Sequence, residues 1–366
     1  MRSRLFLAIA STIFILSFSF FRRPVQKRIN VIAYYSGNEK TIDAYPVEKL
    51  THIIYSFCHL KGNRLNVDNA GDSATIKKLV SLKKRNTQLK VMLSLGGWGG
   101  CKTCSDVFAD AGNIKAFAAS VKELNDYFQT DGIDLDWEYP AIEGHPGHPY
   151  RKEDRQNFTL LMRELRRELG SKNEISFAAG GFDKFLQESV EWDKVTPLMD
   201  RVNLMSYDLV SGFSTVTGHH TPLYSSAGQK VSADHAIKYL EQAGVPADKI
   251  VIGAAFYART WQGVADVNNG LYQPGMFKNF VDYKRFTTRL SADSGFVFYQ
   301  DKEAAAPYAY NSRTKEFATF DDPASIRLKT KYAKEKGLNG IMFWELTLDK
   351  PSGGLLDVID DEKNRH

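Results

Sequence analysis

The sequence predicts an α/β fold, a (β/α)8 TIM barrel that carries a small α+β insertion. Three observations predict it. Eight short runs recur along the chain, apolar on both residue parities, as strands covered on both faces of a parallel sheet are. Amphipathic helical patterns lie between the runs, and alternating strands and helices build right-handed βαβ units. No GxGxxG or Walker motif follows the first run, which disfavours an open doubly wound sheet. A length of 366 residues suits one such barrel as a single unit.

The eight runs are Ile29–Ser36, Thr51–Cys58, Lys90–Leu95, Gly132–Trp137, Glu174–Ala179, Arg201–Tyr207, Lys249–Tyr257 and Gly340–Leu346. Helical spacing of apolar residues marks Ser73–Arg85 (Ile76, Leu79, Val80, Leu82), Ile114–Phe128 (Phe117, Val121, Leu124, Phe128) and Asp154–Leu169 (Phe158, Leu161, Leu165, Leu169). Ala233–Ala243 and Pro323–Lys336 complete the helices, and Gly170, Gly244 and Gly337 stand where helices should stop. The interval from Trp261 to Asn339 breaks the rhythm. It is rich in Tyr, Phe, Gly and Asn, with strand-like pieces at Phe296–Tyr299 and Tyr308–Asn311, and reads as a unit inserted on the barrel rim. The expected layout is a targeting segment or anchor over 1–28, a barrel over 29–260 and 323–360, an insertion over 261–322 and a tail over 361–366.

Composition narrows the function classes. The apolar fraction is 43% and the charged fraction 25%, as in soluble globular proteins. The 23 Phe, 17 Tyr and 5 Trp supply ample core, and exposed aromatics suit flat apolar ligands such as sugar faces or bases. A net charge of +5 from 48 basic and 43 acidic residues is too mild to imply a nucleic-acid partner. Arg2 and Arg4 precede an uncharged stretch from Leu5 to Phe21, the pattern of a secretory signal. Its length also approaches a membrane span, and no small-x-small cleavage site precedes Arg22, so a retained anchor stays open. A secreted, periplasmic or cell-surface location is expected, with membrane contact only if that segment is kept.

In an exported chain the simplest reading of Cys101-Lys-Thr-Cys104 is a small local disulfide. A zinc site would need a second ligand pair, and no other CxxC or HxxxH occurs. Cys58 lies in an apolar run and is expected as a buried free thiol. The adjacent His219-His220 point to different sides and rarely ligate one ion, so no metal and no cofactor are expected. His145 and His148, beside Pro146 and Pro149, follow the fourth run in a loop to which no chemistry is assigned.

The sharpest feature is Asp131-Gly-Ile-Asp134-Leu-Asp136-Trp-Glu138-Tyr139-Pro140. On a strand, Asp134, Asp136 and Glu138 share one face, and Ile133, Leu135 and Trp137 the other. The apolar face can pack on the helices while the acids line the barrel, about 6–7 Å apart at ~3.3 Å per residue. Glu138 stands nearest the C-terminal mouth, where barrel active sites lie. Desolvation and repulsion prevent three such acids from all being ionised cheaply, so at least one pKa must rise. A carboxyl held protonated near neutrality is what a general acid needs.

This segment resembles the DGxDxDxE signature of family 18 glycoside hydrolases, the chitinase family. Its five fixed positions would coincide by chance in such a chain about twice in 10,000. Further motifs in the same order extend the resemblance from about Ile29 to Asp357. It implies retaining hydrolysis of chitin or chitooligosaccharides without an enzyme nucleophile: the acetamido oxygen of the sugar at subsite −1 attacks its own anomeric carbon, and water opens the oxazolinium ion. Glu138 would protonate the glycosidic oxygen and then activate water. Asp136 would orient the acetamido N–H, and Asp134 would share a proton with Asp136.

Met205-Ser-Tyr207-Asp208 is similar to the family's MxYD motif. The resemblance implies that Tyr207 bonds the acetamido oxygen and that Asp208 supports the rim beside Met205. Trp344, in Phe343-Trp-Glu345, would floor the −1 site. Ser94-Leu-Gly96-Gly97-Trp98 resembles the SxGG motif, with Trp98 near the +1 site. Tyr257-Ala-Arg259 resembles the YxR that contacts the −1 and −2 sugars. Tyr34 and Phe57 fall where the family places −1 aromatics, and Tyr139 is grouped with the substrate-contacting residues. The insertion matches members in which it deepens the cleft, which by analogy favours processive or end-acting cleavage. A monomer is expected. The alternatives are an endo-β-N-acetylglucosaminidase, a peptidoglycan-directed hydrolase, and a chitin-binding lectin, whose kind usually lacks the acid at the Glu138 position.

Overall fold

A computed structural model describes residues 29–365. The expected N-terminal signal or anchor therefore lies outside the described residues. Among the described residues no helix is long and apolar enough to cross a membrane.

All eight expected strands form one closed barrel: Asn30–Tyr35, His52–Lys61, Lys90–Gly96, Gly132–Asp136, Glu174–Gly180, Arg201–Met205, Ile250–Ala255 and Gly340–Trp344. Each pairs in parallel with its neighbours, and the first strand closes the barrel by pairing with both the second and the eighth. Residue parity sorts the side chains as the runs implied. From the first strand, Val31, Ala33 and Tyr35 join the layer between sheet and helices, while Ile32 and Tyr34 join a separate interior cluster with Ile54, Met92, Val251 and Met342.

Helix Asp154–Leu169 has the expected limits, and Ala233–Gln242 and Pro323–Glu335 fall within a residue of theirs. The first helix starts earlier than its apolar spacing indicates, at Ala70, because the Asn69 side chain caps it by accepting from the Asp72 N–H. Elements without an equally clear pattern include the hairpin partner Arg64–Asn66, the short helices Cys104–Phe108, Asp183–Glu188, Trp192–Val195 and Phe286–Arg289, and the C-terminal helix Leu355–Lys363. That last helix reaches Pro323–Glu335 through the Arg327–Glu362 ion pair.

Beyond barrel strand seven the chain enters a second, antiparallel sheet. Its strands run in the order Met276–Asp282, Tyr257–Gln262, Glu316–Thr319, Ala306–Asn311 and Val297–Asp301. It has its own core of Trp261, Val264, Leu271, Tyr308, Tyr310 and Phe317. The junction is abrupt: strand seven ends at Ala255 and the first strand of this sheet begins at Tyr257. Tyr257 and Arg259 thus share a parity at the barrel mouth.

The opposite end of the barrel is closed by ion pairs. Glu174 meets Arg201 and Lys90, and His52 Nε2 lies 3.0 Å from it. Burial alone would raise the Glu174 carboxyl, but the bond to His52 and the Arg201 charge override it and hold the group well below its ordinary range. Burial, together with Arg201, pushes His52 down to about 4.

Candidate active site

The fourth strand builds the centre of the mouth. Ile133, Leu135 and Trp137 pack outward into the main core, so Asp134 and Asp136 must point inward. Asp134 is fully buried at the strand's middle. Its Oδ2 accepts from the Tyr34 hydroxyl and the Ser94 hydroxyl, both at 3.0 Å. Its Oδ1 accepts from Ser176 at 2.6 Å and from the Asn203 amide at 3.0 Å. Strand register sets these partners, since Ser94 and Ser176 flank Asp134 directly on the two neighbouring strands. Burial raises the Asp134 carboxyl, and the four donors limit the rise. A carboxyl that accepts four donors has the pattern of an ionised acceptor.

Asp136 differs. It is buried, and its Oδ1 has no hydrogen-bond partner among the described residues. Burial first, then the Glu138 and Asp134 charges, push its carboxyl well above the usual range. Glu138, two residues on and partly exposed, is raised to about 7, chiefly by burial and further by Asp208. The two carboxyls therefore resist simultaneous ionisation, and a proton stays on the pair at neutral pH. Tyr207 is also buried, with its hydroxyl 3.9 Å from the Met342 sulfur. Burial and the nearby acids raise it well above its ordinary value, so it remains a neutral donor.

The rim carries a different carboxylate. Asp208 adopts φ +56° and accepts from the Tyr257 hydroxyl at 2.8 Å and from Nε and Nη2 of Arg259. Burial would raise it, but Arg259 and His220 outweigh that and hold it well below the ordinary range. The adjacent histidines do separate: His220 Nδ1 lies 3.4 Å from Asp208, while His219 Nε2 lies 2.9 Å from Asp301 of the second sheet. Among the described residues, no group of three or more His, Cys, Asp or Glu is placed to hold a metal.

Aromatic rings line the mouth. Trp344 stacks on Phe57 at 5.6 Å and 15°, and Tyr34 lies 5.8 Å from it. Glu345 ties the end of strand eight to strand one, accepting from the Ser36 N–H at 3.3 Å and the Thr347 N–H at 3.1 Å. Gly97 has φ +79°, and a Cβ there would lie 2.3 Å from the Phe57 ring. Its neighbour Gly96 runs so close to strand four that a Cβ would sit 2.2 Å from the Asp136 carbonyl. This close packing carries the rings onward to Trp98, which is 43% exposed. Tyr139 meets Phe182 and Phe185 edge-on, and Met205 sits in the interior cluster with Tyr207 and Tyr257. Cys101 and Cys104 are disulfide-bonded in the loop after strand three, and Cys58 is a buried free thiol. Non-proline cis peptide bonds occur at Ser56–Phe57, Glu138–Tyr139 and Trp344–Glu345.

The structure thus brings Asp134, Asp136, Glu138, Tyr207, Asp208, Tyr257, Arg259 and the rings of Tyr34, Phe57, Trp98, Tyr139 and Trp344 to one end of the barrel. Sequence reasoning missed Ser94, Ser176 and Asn203 as partners of Asp134. A signal existed: each is a polar residue at an inward position of an otherwise apolar run. It also missed His220 and Phe213, which reach the mouth from a loop without periodicity.

Residues 30–349 match the family profile "Glycosyl hydrolases family 18". Chitinase A1 of Niallia circulans is 30% identical over 410 residues, covering 90% of this chain and 58% of that protein. Chitinase 1 of Aphanocladium album is 32% identical over 341 residues, covering 83% of this chain and 77% of that protein. Among solved structures, a glycoside hydrolase family 18 N-acetylglucosaminidase from Paenibacillus barengoltzii superposes with a TM-score of 0.84 at 35% identity, covering 91% of this chain and 99% of that one. Chitinase ChiA74 from Bacillus thuringiensis gives 0.85 at 28% identity, covering 92% and 70%.

Proposed function

The chain belongs to glycosyl hydrolases family 18, and on that premise we propose that it is a chitinase, cleaving β-1,4-linked N-acetylglucosamine polymers with retention. One observation carries the reading. The buried Asp136 has an acceptor oxygen without a partner, and it lies beside a carboxyl raised to about 7. A buried polar atom of this kind needs a donor. The acetamido N–H of N-acetylglucosamine supplies one, and the same group brings the internal carbonyl nucleophile that glucose lacks.

In the proposed reaction Glu138 gives its proton to the glycosidic oxygen as the C1–O bond breaks. The acetamido oxygen closes on C1, guided by Asp136 at its N–H and by the neutral Tyr207 hydroxyl. Glu138, now a carboxylate, takes a proton from the water that opens the oxazolinium ring. Asp134, held by four donors and raised by burial, shares a proton with Asp136 and tunes its charge. Trp344 stacks under the sugar, Phe57 and Tyr34 back it, and Trp98 and Tyr139 face the leaving side. Asp208, with Met205 beside it and Tyr257 and Arg259 as its partners, borders the sugars on the other side.

Export through the N-terminal segment and action as a monomer belong to the same reading. So does the division into a barrel and an insertion that walls the cleft, with the insertion beginning at Tyr257, where its sheet starts, and not at 261. Product lengths from chitohexaose, followed over time beside cellohexaose, test it. Cleavage of chitohexaose alone, inhibited by a thiazoline mimic of the cyclic intermediate, is the expected result. Equal cleavage of cellohexaose, or no inhibition, would overturn it.

A further inference from the structure

A fully buried cation lies behind the mouth and has no part in the reaction just described. Lys329, on helix Pro323–Glu335, is 0% exposed, and so is Asp321, just ahead of that helix. The Lys329 ammonium donates to Asp321 Oδ2 at 2.7 Å and to the Thr221 hydroxyl oxygen. Burial lowers its pKa, and the Asp321 charge opposes that fall. A buried ion pair is seldom more stabilising than an apolar pair of the same volume. What it supplies, and an apolar pair cannot, is direction.

The pair reaches backbone that carries the site. Asp321 Oδ2 also accepts from the Ala255 N–H at 3.0 Å, at the end of strand seven and just ahead of Tyr257. The Lys329 and Ala255 donors fill the two lone pairs of that oxygen. The Thr221 hydroxyl lies 3.1 Å from the same oxygen and 3.2 Å from the Ser206 carbonyl. With Oδ2 filled, the hydroxyl proton goes to Ser206. That carbonyl belongs to the peptide leading into Tyr207. Strand pairing does not hold this peptide: the register between strands six and seven ends at Leu204 and Ile252, and that between strands five and six at Gly180 and Met205. The Ser206 side chain is tied to the Gly253 backbone at 3.0 Å, which leaves its carbonyl to Thr221. The Tyr207 hydroxyl meets a weak acceptor, the Met342 sulfur at 3.9 Å, so the backbone decides where that hydroxyl stands.

We propose that Lys329, Asp321 and Thr221 are positioning residues for the reaction: the buried pair turns the Thr221 hydroxyl onto the Ser206 carbonyl, and this holds the Tyr207 hydroxyl where it bonds the acetamido oxygen. The inference rests on the reading of Tyr207 given above. All three side chains are buried, so they act through the backbone and not on the sugar. A reacting group misplaced by about 1 Å can cost up to about 10²-fold in rate. Sugar binding, spread over several stacked rings, depends little on that one hydroxyl, so the effect falls on kcat and not on KM.

Lys329→Met alone would strand a buried carboxylate. The experiment therefore uses the neutral pair D321N/K329M beside Thr221→Val, which keeps the ion pair and removes only the hydroxyl. On chitohexaose kcat should fall about ten-fold for the neutral pair and about three-fold for Thr221→Val, with KM within about two-fold and thermal melts showing a folded protein. Both are then repeated in a Tyr207→Phe background. There each change should lower kcat by less than about two-fold, because the hydroxyl being positioned is gone, whereas a general weakening of the fold would cost the same in both backgrounds. Should the neutral pair fail to fold, Thr221→Val decides. Unchanged kcat in a folded variant, a loss confined to KM, or equal losses with and without the Tyr207 hydroxyl would overturn the inference and leave the hydrolase reading standing. A Tyr207→Phe variant as active as the wild type would overturn the role given to Tyr207, and this inference with it.

Discussion

The two ends of the barrel treat buried carboxylates in opposite ways. At the base Glu174 is surrounded by Arg201, Lys90 and His52, and its acid form is suppressed. At the mouth Asp136 and Glu138 are as close to each other in sequence as the strand allows, with burial and like charge acting on them together. Both sites sit on the same scaffold of inward-facing positions. What separates them is the presence of a cation: with one, a buried acid becomes a fixed structural charge, and without one it keeps a proton that it can transfer. Asp208 sharpens the contrast, because it lies at the mouth yet has Arg259 and so behaves like the base.

The largest effect should follow from removing the transferable proton. Glu138→Gln keeps the shape and should lower kcat on chitohexaose by about 10²- to 10⁴-fold, with oligosaccharide affinity by calorimetry almost unchanged. Activity that persists would mean that the mouth acids are only structural. At the base, Arg201→Met leaves Glu174 buried with weaker compensation. It should cost about 3 kcal/mol in denaturant unfolding at pH 7 while kcat stays within about three-fold. If that variant instead lost activity at full stability, the two ends would not be separable.

The signs of the pH dependence also oppose. Glu174 has a depressed folded pKa, so its contribution to stability is present above the unfolded value and is lost as pH falls below it. Glu138 is raised to about 7, so its ionisation disfavours the folded state increasingly as pH climbs from the unfolded value towards 7. Glu138→Gln should therefore be more stable than the wild type at pH 8, by on the order of 2 kcal/mol, and the gap should close near pH 4. Thermal melts of the pair across that range measure it.

Much of this was legible in the sequence, because strand parity is a local rule. Ile133 and Leu135 had to face the helices, which committed Asp134 and Asp136 to the interior. Helix Asp154–Leu169 was legible for the same reason, from the spacing of Phe158, Leu161, Leu165 and Leu169. The compensating charges were not. Arg201 and Glu174 belong to different strands, and the Asp208 cluster joins a loop after strand six to a strand of the second sheet. No periodicity within one segment records which distant side chain it will meet. The split of His219 from His220 was legible as a divergence of direction, whereas their partners Asp301 and Asp208 required the assembled fold.

The smallest expected effect tests how the rim tunes the centre. If Glu138 is the acid, kcat/KM should fall as pH rises through about 7, because the proton to be donated is then lost. Burial is the main cause of the raised value, and the Asp208 charge adds to it. Asp208→Asn removes that charge while keeping an acceptor for the Tyr257 hydroxyl. The Glu138 acid should then strengthen, and the alkaline limb should move to lower pH by about half a unit. A pH–rate profile on a soluble chitooligosaccharide, taken with a variant whose Tm shows it folded, measures the displacement. A limb that stayed in place would mean that Arg259 already cancels the Asp208 charge as seen from Glu138, so that burial alone distinguishes the mouth from the base. A limb that moved to higher pH would assign it to a group other than Glu138.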